Sequence, residues 1–297
     1  MLSVCIPIFN QDVSELTQVL HNQAMHLGIE AEILLLDDAS REAIREENRK
    51  LASLPLVRYE ELEENIGRSR IRNNLSKKAR YPLLLFLDCD VAPVHNDFLK
   101  RYLEAGKDGS VVCGGHLYQD KTPEQPFLLH WLAGSVREAR DATTRQMHPY
   151  SSFMTASFLL PAATIYELPF NEEINGYGHE DTLYGFQLKL KQIPVKHIDN
   201  PVMHNGLEQT DVFLEKTRHA MANLRRVYEL TDSHKDFRNM VKVLKTCENI
   251  TKWRLNGLLR LLYGLSKKQI YRHLCGNSPR LWMLDIYKLC HICHNRH

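Results

Sequence analysis

Residues 83–91 read LLLFLDCDV, and this stretch decides the fold. Five consecutive apolar residues, preceded by Pro82, are too few for a typical helix and predict a strand that is buried on both faces. Such strands occupy the middle of parallel sheets, and ligands of these sheets bind just beyond the carboxyl ends of the strands. That end carries two carboxylates one residue apart, Asp88 and Asp90, which repel each other.

The Asp-x-Asp pair has two interpretations. Oxygen ligands suit Mg²⁺ or Mn²⁺, and a hard divalent cation with a bound phosphate would relieve the repulsion between the two acids. The alternative is that Asp88 and Asp90 only cap the loop that follows the strand. Asp-x-Asp occurs by chance often enough that the rest of the chain has to distinguish the two.

Strands and helices alternate through the first part of the chain. Apolar runs at residues 2–9, 33–36 and 83–87 predict strands, and the segments between them have helical spacing. Residues 118–150 have no clear periodic pattern and are predicted to be irregular, and a further apolar strand is predicted from Phe153 to Leu160. The alternation of strands and helices predicts an α/β fold with a parallel sheet and helices on its faces. The second strand also ends in acids, Asp37 and Asp38, which favours a nucleotide site at that edge. Because Gly-rich phosphate-binding fingerprints are absent, metal and arginine are predicted to hold the phosphates.

Composition describes an ordinary folded protein. Of 297 residues, 43% are hydrophobic and 25% are charged. No apolar run has the length of a transmembrane helix. The first residues lack the positive n-region of a signal peptide and are predicted to form a strand. Seven cysteines without a disulfide-like spacing predict a reducing, cytoplasmic setting.

The carboxyl-terminal segment is strongly basic. Residues 251–297 hold nine lysines and arginines and a single acid, Asp285, although the whole chain has a net charge of only +2. A leucine pattern at i, i+3, i+4 and i+7 predicts a basic amphipathic helix; its members are Leu255, Leu258, Leu259 and Leu262. Such a helix suggests binding to an anionic membrane surface. The alternative is packing on the preceding domain or on a second copy.

Two other partners are disfavoured for this segment. No nucleic-acid-binding motif accompanies the basic charge, so nucleic acid is not predicted as a partner. The final residues include types that bind metals: Cys290, His291, Cys293, His294 and His297. No second Cys/His pair stands at zinc-finger spacing, so a structural zinc site is not predicted.

Four segments in order resemble the inverting family 2 glycosyltransferases with the GT-A fold. They are residues 4–10 (VCIPIFN), 36–40 (LDDAS), 65–73 (NIGRSRIRN) and 86–90 (FLDCD). The Gly-rich stretch 176–181 with its Glu-Asp pair, followed by His204, is similar to the carboxyl half of galactosyl- and N-acetylgalactosaminyltransferases. The resemblance covers roughly residues 1–210. Two positions depart from it, because Ile71 replaces a small residue and Ala39 replaces the commoner glycine.

The sequence predicts an architecture of two parts. The resemblance implies that residues 1–215 form a GT-A glycosyltransferase domain, with a mostly parallel central sheet, helices on both faces and a Rossmann-like nucleotide-binding half. The charge and leucine pattern predict that residues 216–297 form a basic helical extension, with membrane association as one interpretation and packing on the domain or on a second copy as the other.

The resemblance also implies roles for particular residues. Three would surround the base and ribose of a nucleotide sugar, usually a UDP-sugar: Pro7, Phe9 and Asp38. Arg72 would lie near the diphosphate. A divalent metal, Mn²⁺ or Mg²⁺, would be held by Asp90 and His204, with Asp88 as a further ligand. Asp181 would be the catalytic base, with Glu180 beside it. The other predicted donor-binding residues are Asn10, Asp37, Asn65, Gly67, Arg68 and Asp88.

The chemistry of these residue types supports the roles. A metal stabilises a departing diphosphate as a Lewis acid, and arginine donates charge-assisted hydrogen bonds to phosphate. Asp181 stands at a predicted helix start, where the macrodipole favours the ionised carboxylate that a general base requires. Simpler readings remain open: Glu180 and Asp181 as first-turn acids, His204 as a core histidine, the arginines of 68–72 as a solvated face, Asp37 as a brace for Asp38, and Trp131 as core or sugar platform.

The predicted function is a metal-dependent, inverting transfer of a sugar from a nucleotide sugar to a carbohydrate or lipid-linked carbohydrate acceptor. The resemblance suggests bacterial surface polysaccharide assembly, in the cytoplasm or on the inner face of the plasma membrane. One alternative is a nucleotidyltransferase on a similar sheet, which would release pyrophosphate. Another is an inactive carbohydrate- or membrane-binding module, against which the acids at 38, 90 and 181 weigh.

Overall fold

The computed structural model describes residues 1–174 and 176–294. Contacts between Cα atoms divide the chain into two compact units. The first unit comprises Met1–Tyr118, Ala139–Glu173 and Glu180–Gly206, and the second comprises Gln119–Glu138, Ile174–His179 and Leu207–His297. The domain boundary expected near residue 215 stays a prediction.

Strands of the described chain form a large sheet and a small one. In chain order they are β1 (Leu2–Ile8), β2 (Ala31–Asp37), β3 (Val57–Glu61), β4 (Leu83–Leu87), β5 (Val91–Pro93), β6 (Val111–Cys113), β7 (His116–Leu117), β8 (Ser157–Pro161), β9 (Val195–His197) and β10 (Val202–His204). The large sheet has the order β3-β2-β1-β4-β8-β6-β9, and the small one β5-β10-β7. In the large sheet β8 runs antiparallel to both neighbours, whereas the other pairs are parallel. The predicted mostly parallel α/β sheet is confirmed.

Helices follow most strands and fill the second unit. They are α1 (Ser14–Leu27), α2 (Glu42–Arg49), α3 (Arg68–Lys78), α4 (Phe98–Ala105), α5 (Leu128–Arg137), α6 (Ala142–Gln146), α7 (Ala162–Glu167), α8 (Glu180–Leu190), α9 (Thr210–Leu230), α10 (Lys235–Met240), α11 (Lys242–Lys252), α12 (Asn256–Leu274) and α13 (Leu281–His294). Short 3₁₀ turns occupy Lys50–Ser53 and Gly106–Asp108.

β4 is the central buried strand that the apolar run predicts. Leu84 to Leu87 are fully buried, and alternate side chains point to opposite faces of the sheet. Leu85 and Leu87 pack in a core cluster that includes residues of α1 and α4. Leu84 and Phe86 pack in a second cluster with residues of α3, α7 and α8. Helices therefore cover both faces, as expected.

Three features of the first 210 residues differ from the sequence-based expectation. The stretch 118–150, expected to be irregular, contains α5 and α6. The small sheet was not expected because its strands have only two or three residues, which is too short for a periodic pattern. The apolar strand expected from Phe153 begins only at Ser157.

The second unit has its own helical core. Its buried side chains come from α5, α9, α12 and α13 and include Leu129, Leu214, Ile270 and Leu284. A disulfide joins Cys247 of α11 to Cys293 of α13, whose Cα atoms lie 5.9 Å apart. This pairing contradicts the expectation of cysteines without disulfides; the two residues are 46 positions apart, and spacing alone cannot reveal such a pair. The side chain of His294 and all of His297 lie outside the described residues.

Among the described residues, none of the helices combines the length and the apolar character that crossing a bilayer requires.

A pair of phenylalanines tests the assignment of the core. Phe86 is fully buried and its ring stacks on Phe158 with centroids 5.1 Å apart, whereas Phe9 is 51% exposed. We expect Phe86→Ala to lower the free energy of unfolding by about 3–5 kcal/mol, because truncation leaves a cavity between sheet and helices. Phe9→Ala should change it by no more than about 0.5 kcal/mol. Chemical denaturation measures both, and equal losses would contradict the assignment.

Candidate functional site

The acid that directly follows β4 is bound by a buried arginine. Asp88 Oδ1 accepts a hydrogen bond from Arg72 Nη2 at 2.7 Å. Arg72 belongs to α3 and is 2% exposed, although its neighbours along that helix, Arg68 and Arg70, are 46% and 52% exposed. The guanidinium therefore neutralises the carboxylate at the end of the central strand. The solvated-face reading of these arginines does not hold for Arg72.

The same arginine also faces the first residue of α8. Arg72 Nη1 lies 3.7 Å from Glu180 Oε1, and Arg68 Nη1 lies 3.4 Å from the same oxygen. Glu180 is only 5% exposed. Burial would raise the pKa of Glu180, but the positive charges of Arg68 and Arg72 outweigh it and lower that pKa. Glu180 is thus held as a carboxylate between two arginines.

Asp181, the next residue, has the opposite electrostatic environment. Burial, followed by the negative charge of Glu180, raises the pKa of Asp181 to about 6. Its Oδ1 accepts a hydrogen bond from the backbone N–H of Thr182 at 2.6 Å. At neutral pH the group is therefore mostly ionised, yet it is a stronger base than an ordinary aspartate. This combination suits proton abstraction.

The second acid of the pair lies beside a histidine. Asp90 Oδ2 is 3.6 Å from His204 Nε2. Backbone pairing brings them together, because β10 runs antiparallel to β5 with His204 opposite Val91. Asn205 N–H also donates to the Asp90 carbonyl at 2.9 Å. Gly206 completes the arrangement, since a Cβ there would collide with the Asp90 carboxylate.

These residues fit a divalent cation in part. Burial and the negative charge of Asp88 raise the pKa of Asp90, and a bound cation would relieve that repulsion. A carboxylate oxygen and an imidazole nitrogen are both ligands for Mn²⁺. Asp88, however, is occupied by Arg72, and within residues 1–174 and 176–294 no three His, Cys, Asp or Glu side chains are grouped to hold a metal. The chain therefore offers the pair Asp90 and His204.

Asp38, at the end of β2, organises the loop before α3. Its carboxylate accepts hydrogen bonds from the backbone N–H groups of Ile66 and Gly67 at 2.7 and 3.1 Å. Asn65 Nδ2 donates to the Asp38 carbonyl at 3.1 Å. Burial raises the pKa of Asp38, although the two backbone N–H bonds oppose the shift. Gly67 adopts a φ of +83°, which glycine accommodates without strain.

Asp37 hydrogen-bonds within the turn that follows β2, and its interpretation as a brace for Asp38 stays a prediction. It is fully buried, and its carboxylate accepts hydrogen bonds from Ser40 N–H at 2.7 Å and from the Tyr59 hydroxyl at 3.3 Å. Ala39 lies in the same turn with a φ of +62°. Ala39, which replaces the glycine that is commoner in the family, is therefore held in a left-handed conformation.

The end of β1 contacts this turn. Ser40 Oγ accepts a hydrogen bond from Asn10 N–H at 2.7 Å, and Asn10 Oδ1 accepts one from Arg41 N–H at 2.9 Å. Pro7 pairs with Leu36 in the β1–β2 ladder, and the exposed ring of Phe9 follows the strand. The predicted donor residues other than Arg68, Arg72 and Asp88 thus occupy adjoining ends of β1 and β2 and the loop that Asp38 holds.

Sequence reasoning missed two aromatic neighbours of His204. The ring centroid of Tyr118 lies 5.2 Å from that of His204, and His116 lies 6.3 Å from it. His116 is in β7, which pairs with β10. A His-x-Tyr pattern directly after Gly114 and Gly115 was the only available signal.

Trp131, expected to be either core or a sugar platform, lies in the second unit. It is a partly buried residue of α5, and its Nε1 donates to the Gln119 carbonyl at 2.7 Å. The choice between the two readings stays open.

Comparison with known proteins identifies the family. The profile of "Glycosyl transferase family 2" matches residues 3–159, just over half of the chain. The chain belongs to glycosyl transferase family 2. The family predicted from the motif order is therefore confirmed, and the match contains the four segments quoted for it.

A curated relative is similar over part of its length. Validoxylamine A glucosyltransferase from Streptomyces hygroscopicus subsp. limoneus is 27% identical over 224 residues, covering 66% of this chain and 49% of that protein. The family 2 chain described here thus spans about half of the relative's length.

Two solved structures share the fold. The mannosyltransferase PcManGT from Pyrobaculum calidifontis, in complex with GDP-Man and Mn²⁺, matches with a TM-score of 0.60 at 12% identity, covering 99% of this chain and 86% of that one. S. aureus TarS in complex with UDP-GlcNAc matches with a TM-score of 0.53 at 16% identity, covering 99% and 90%. At such identities the likeness supports the fold, and the predicted GT-A architecture is confirmed.

The pairing of Arg72 makes a prediction about stability. We expect Arg72→Met to lower the free energy of unfolding by about 3 kcal/mol, because it leaves the buried Glu180 and the partly buried Asp88 with less counter-charge. Arg70→Met is the matched control: Arg70 is on the same helix, 52% exposed and 3.9 Å from Glu172, and its loss should cost no more than about 0.5 kcal/mol. Urea denaturation of both variants gives the comparison. Similar losses would show that Arg72 is not the central counter-charge.

Proposed function

We propose that the chain is a metal-dependent, inverting glycosyltransferase. It would transfer a sugar from a nucleotide sugar, with a UDP-sugar as the predicted donor, to a saccharide or a lipid-linked saccharide. Family membership supports the reaction class, and the UDP-GlcNAc and GDP-Man complexes of the two structural neighbours support a nucleotide-sugar donor. The glucosyltransferase relative supports a carbohydrate acceptor. Surface polysaccharide assembly at the inner face of a membrane is the proposed setting.

The observation that carries the proposal is the contrast between Glu180 and Asp181. Two arginines hold Glu180 as an anion, and that anion together with burial makes Asp181 a stronger base. When the acceptor hydroxyl attacks the anomeric carbon, its proton would pass to the Asp181 carboxylate. The new C–O bond would form as the bond from the anomeric carbon to the diphosphate oxygen breaks, on the opposite face of the sugar. The nucleoside diphosphate would leave with the bonding electron pair.

Asp90 and His204 are the residues we propose for the metal, with donor phosphate oxygens and water as its further ligands. When bound there, the cation would supply Lewis-acid stabilisation of the leaving diphosphate. The 3.6 Å separation of Asp90 Oδ2 and His204 Nε2 supports this assignment. We propose that Asp88 contributes to metal binding only indirectly, because its carboxylate is paired with Arg72.

The two arginines of α3 that face Glu180 would have different tasks. Arg68 is 46% exposed and follows directly on the loop held by Asp38, so we propose that it donates to the diphosphate. Arg72 is buried between Asp88 and Glu180 and would position both acids. The residues 7–10, 38 and 65–67 would surround the nucleoside.

The function is tested by the identity of the released product. The purified chain is incubated with UDP-sugars and GDP-mannose, with a panel of saccharide acceptors, and with Mn²⁺ or EDTA. We expect Mn²⁺-dependent release of a nucleoside diphosphate. Asp181→Asn should reduce transfer by about a hundredfold to ten-thousandfold, the scale expected for loss of a general base, while donor binding by calorimetry persists. Asp120→Asn, an exposed aspartate, is the control.

Two outcomes would contradict the proposal, and a third would contradict only the assignment of the base. Release of pyrophosphate from a nucleoside triphosphate would favour a nucleotidyltransferase. If the chain binds a nucleotide sugar but transfers the sugar to none of the acceptors, with or without metal, the result would favour an inactive carbohydrate-binding module. Normal transfer by Asp181→Asn would refute the base assignment alone.

The pKa of Asp181 predicts the pH profile. Since the base must be deprotonated, kcat/KM should fall about tenfold per pH unit as the pH drops below about 6. The negative charge of Glu180 contributes to the raised pKa, so Glu180→Gln should move this acidic limb to lower pH. Initial rates across a pH series for both proteins provide the measurement. If the acidic limb of the pH profile does not move in Glu180→Gln, the limb reports the titration of another group.

A further inference from the structure

The helix α12 has two apolar faces, and only one of them is packed inside the second unit. Ile270 and Leu274 are buried in its core, and Tyr263 packs against them. Four leucines on the other side are exposed: Leu258 by 53%, Leu261 by 61%, Leu262 by 53% and Leu265 by 78%. Their spacing of i, i+3, i+4 and i+7 places them in one stripe about 100° wide. We call these four residues the leucine stripe.

The leucine stripe is not the face that sequence periodicity selected. That pattern included Leu259, which the structure places among the partly buried residues, whereas Leu261 and Leu265 are on the exposed side. Scattered exposed leucines are normal on a protein surface, but a contiguous row on one helix face marks an interaction site.

Positive charge surrounds the stripe. α12 contains Arg260, Lys267, Lys268 and Arg272 and no acid. Lys268 is seven residues after Leu261, and Arg272 is seven residues after Leu265, so both lie along the edge of the stripe. The turn that precedes α12 exposes Trp253 by 73%, next to Lys252 and Arg254.

The carboxyl-terminal segment offers little negative charge to offset this. Asp285 is its one acid, and its carboxylate accepts two hydrogen bonds from Arg137, each at 2.7 Å. An occupant of the stripe must therefore be apolar where it meets the leucines and anionic where it meets Lys268 and Arg272.

We propose that the leucine stripe of α12 lies on the surface of a bilayer containing anionic lipid. Leucines and an exposed tryptophan would enter the boundary between headgroups and acyl chains, and the basic side chains would contact lipid phosphates. A second copy of the chain fits less well, because residues 251–274 contain six lysines and arginines and no acid, so a symmetric contact through this face would bring only like charges to the stripe. The proposal does not depend on the transfer reaction, although it would bring the enzyme to lipid-linked acceptors.

Vesicle co-sedimentation of the full chain tests the proposal. The vesicles contain phosphatidylcholine alone or phosphatidylcholine with phosphatidylglycerol. We expect binding to the anionic vesicles, and we expect it to weaken as ionic strength rises. The double variant Leu261→Gln/Leu265→Gln should bind at least about tenfold more weakly. Lys268→Glu/Arg272→Glu should lose anionic-vesicle binding by a similar factor.

Matched controls separate the stripe from general surface changes. Leu190→Gln replaces another exposed leucine, 54% exposed at the end of α8, and Lys107→Glu replaces an exposed lysine. Both controls should bind vesicles like the unmodified chain, and circular dichroism should confirm that every variant folds.

Several results would overturn the proposal. They are absence of binding to anionic vesicles, equal binding to both vesicle types, and unchanged binding by the leucine variant. Light scattering measures the oligomeric state. If the unmodified chain is a dimer that dissociates in Leu261→Gln/Leu265→Gln, the stripe is a self-association surface. Because none of these measurements involves turnover, failure here would count against the proposed membrane setting but leave the transfer reaction to its own test.

Discussion

The buried guanidinium of Arg72 is the contact on which the site depends. Carboxylates placed at the ends of buried strands repel one another and lose solvation, and a structure that concentrates them must provide counter-charge. Arg72 reaches Asp88 at the end of β4 and faces Glu180 at the start of α8, so one side chain couples the sheet to a helix far away in sequence. Because the guanidinium is only 2% exposed, solvent and salt screen these contacts little.

The arginines also separate two neighbouring acids in basicity. Glu180 and Asp181 are consecutive residues, yet one has a lowered pKa and the other a raised one. The fixed anion at Glu180 is one cause of the raised pKa at Asp181, so removing positive charge from α3 would act on both. Pairs of titratable groups whose environments push their pKa values apart are a recurring sign of acid–base chemistry.

Much of the fold could be predicted from the sequence because it is built on long buried strands. β4 is a continuous apolar run, and β1 and β2 contain apolar runs after Ser3 and Glu32. Acids follow at the ends of β2 and β4, at one edge of the sheet. The small sheet was not readable, since its strands have two or three residues and form only through tertiary pairing. The helix α5 was missed because its sequence, LLHWLAGSVR, mixes a glycine and bulky aromatic groups with a short apolar start.

The sequence predicted which residues belong to the candidate site but not which of them contact one another. Motif order pointed to Asp38, Asp88 and Arg72, but spacing cannot tell which anion an arginine will meet. In the structure Arg72 meets two carboxylates, and Asp38 meets the backbone N–H groups of Ile66 and Gly67. Each contact joins residues more than ten positions apart, so it depends on how helices and loops pack. The Cys247–Cys293 pair was hidden for the same reason.

Backbone pairing brings together Asp90 and His204, the two residues that we propose as metal ligands. The antiparallel register of β5 and β10 sets His204 beside the residue that follows Asp90, and Gly206 leaves room for the carboxylate. Main-chain hydrogen bonds therefore fix the backbone at both residues. Mg²⁺ and Mn²⁺ sites in phosphate-handling enzymes commonly take one or two protein ligands and complete their shell with substrate phosphates and water. A site with two ligands would therefore be completed by the donor itself, which would couple metal occupancy to the presence of the diphosphate that the metal serves.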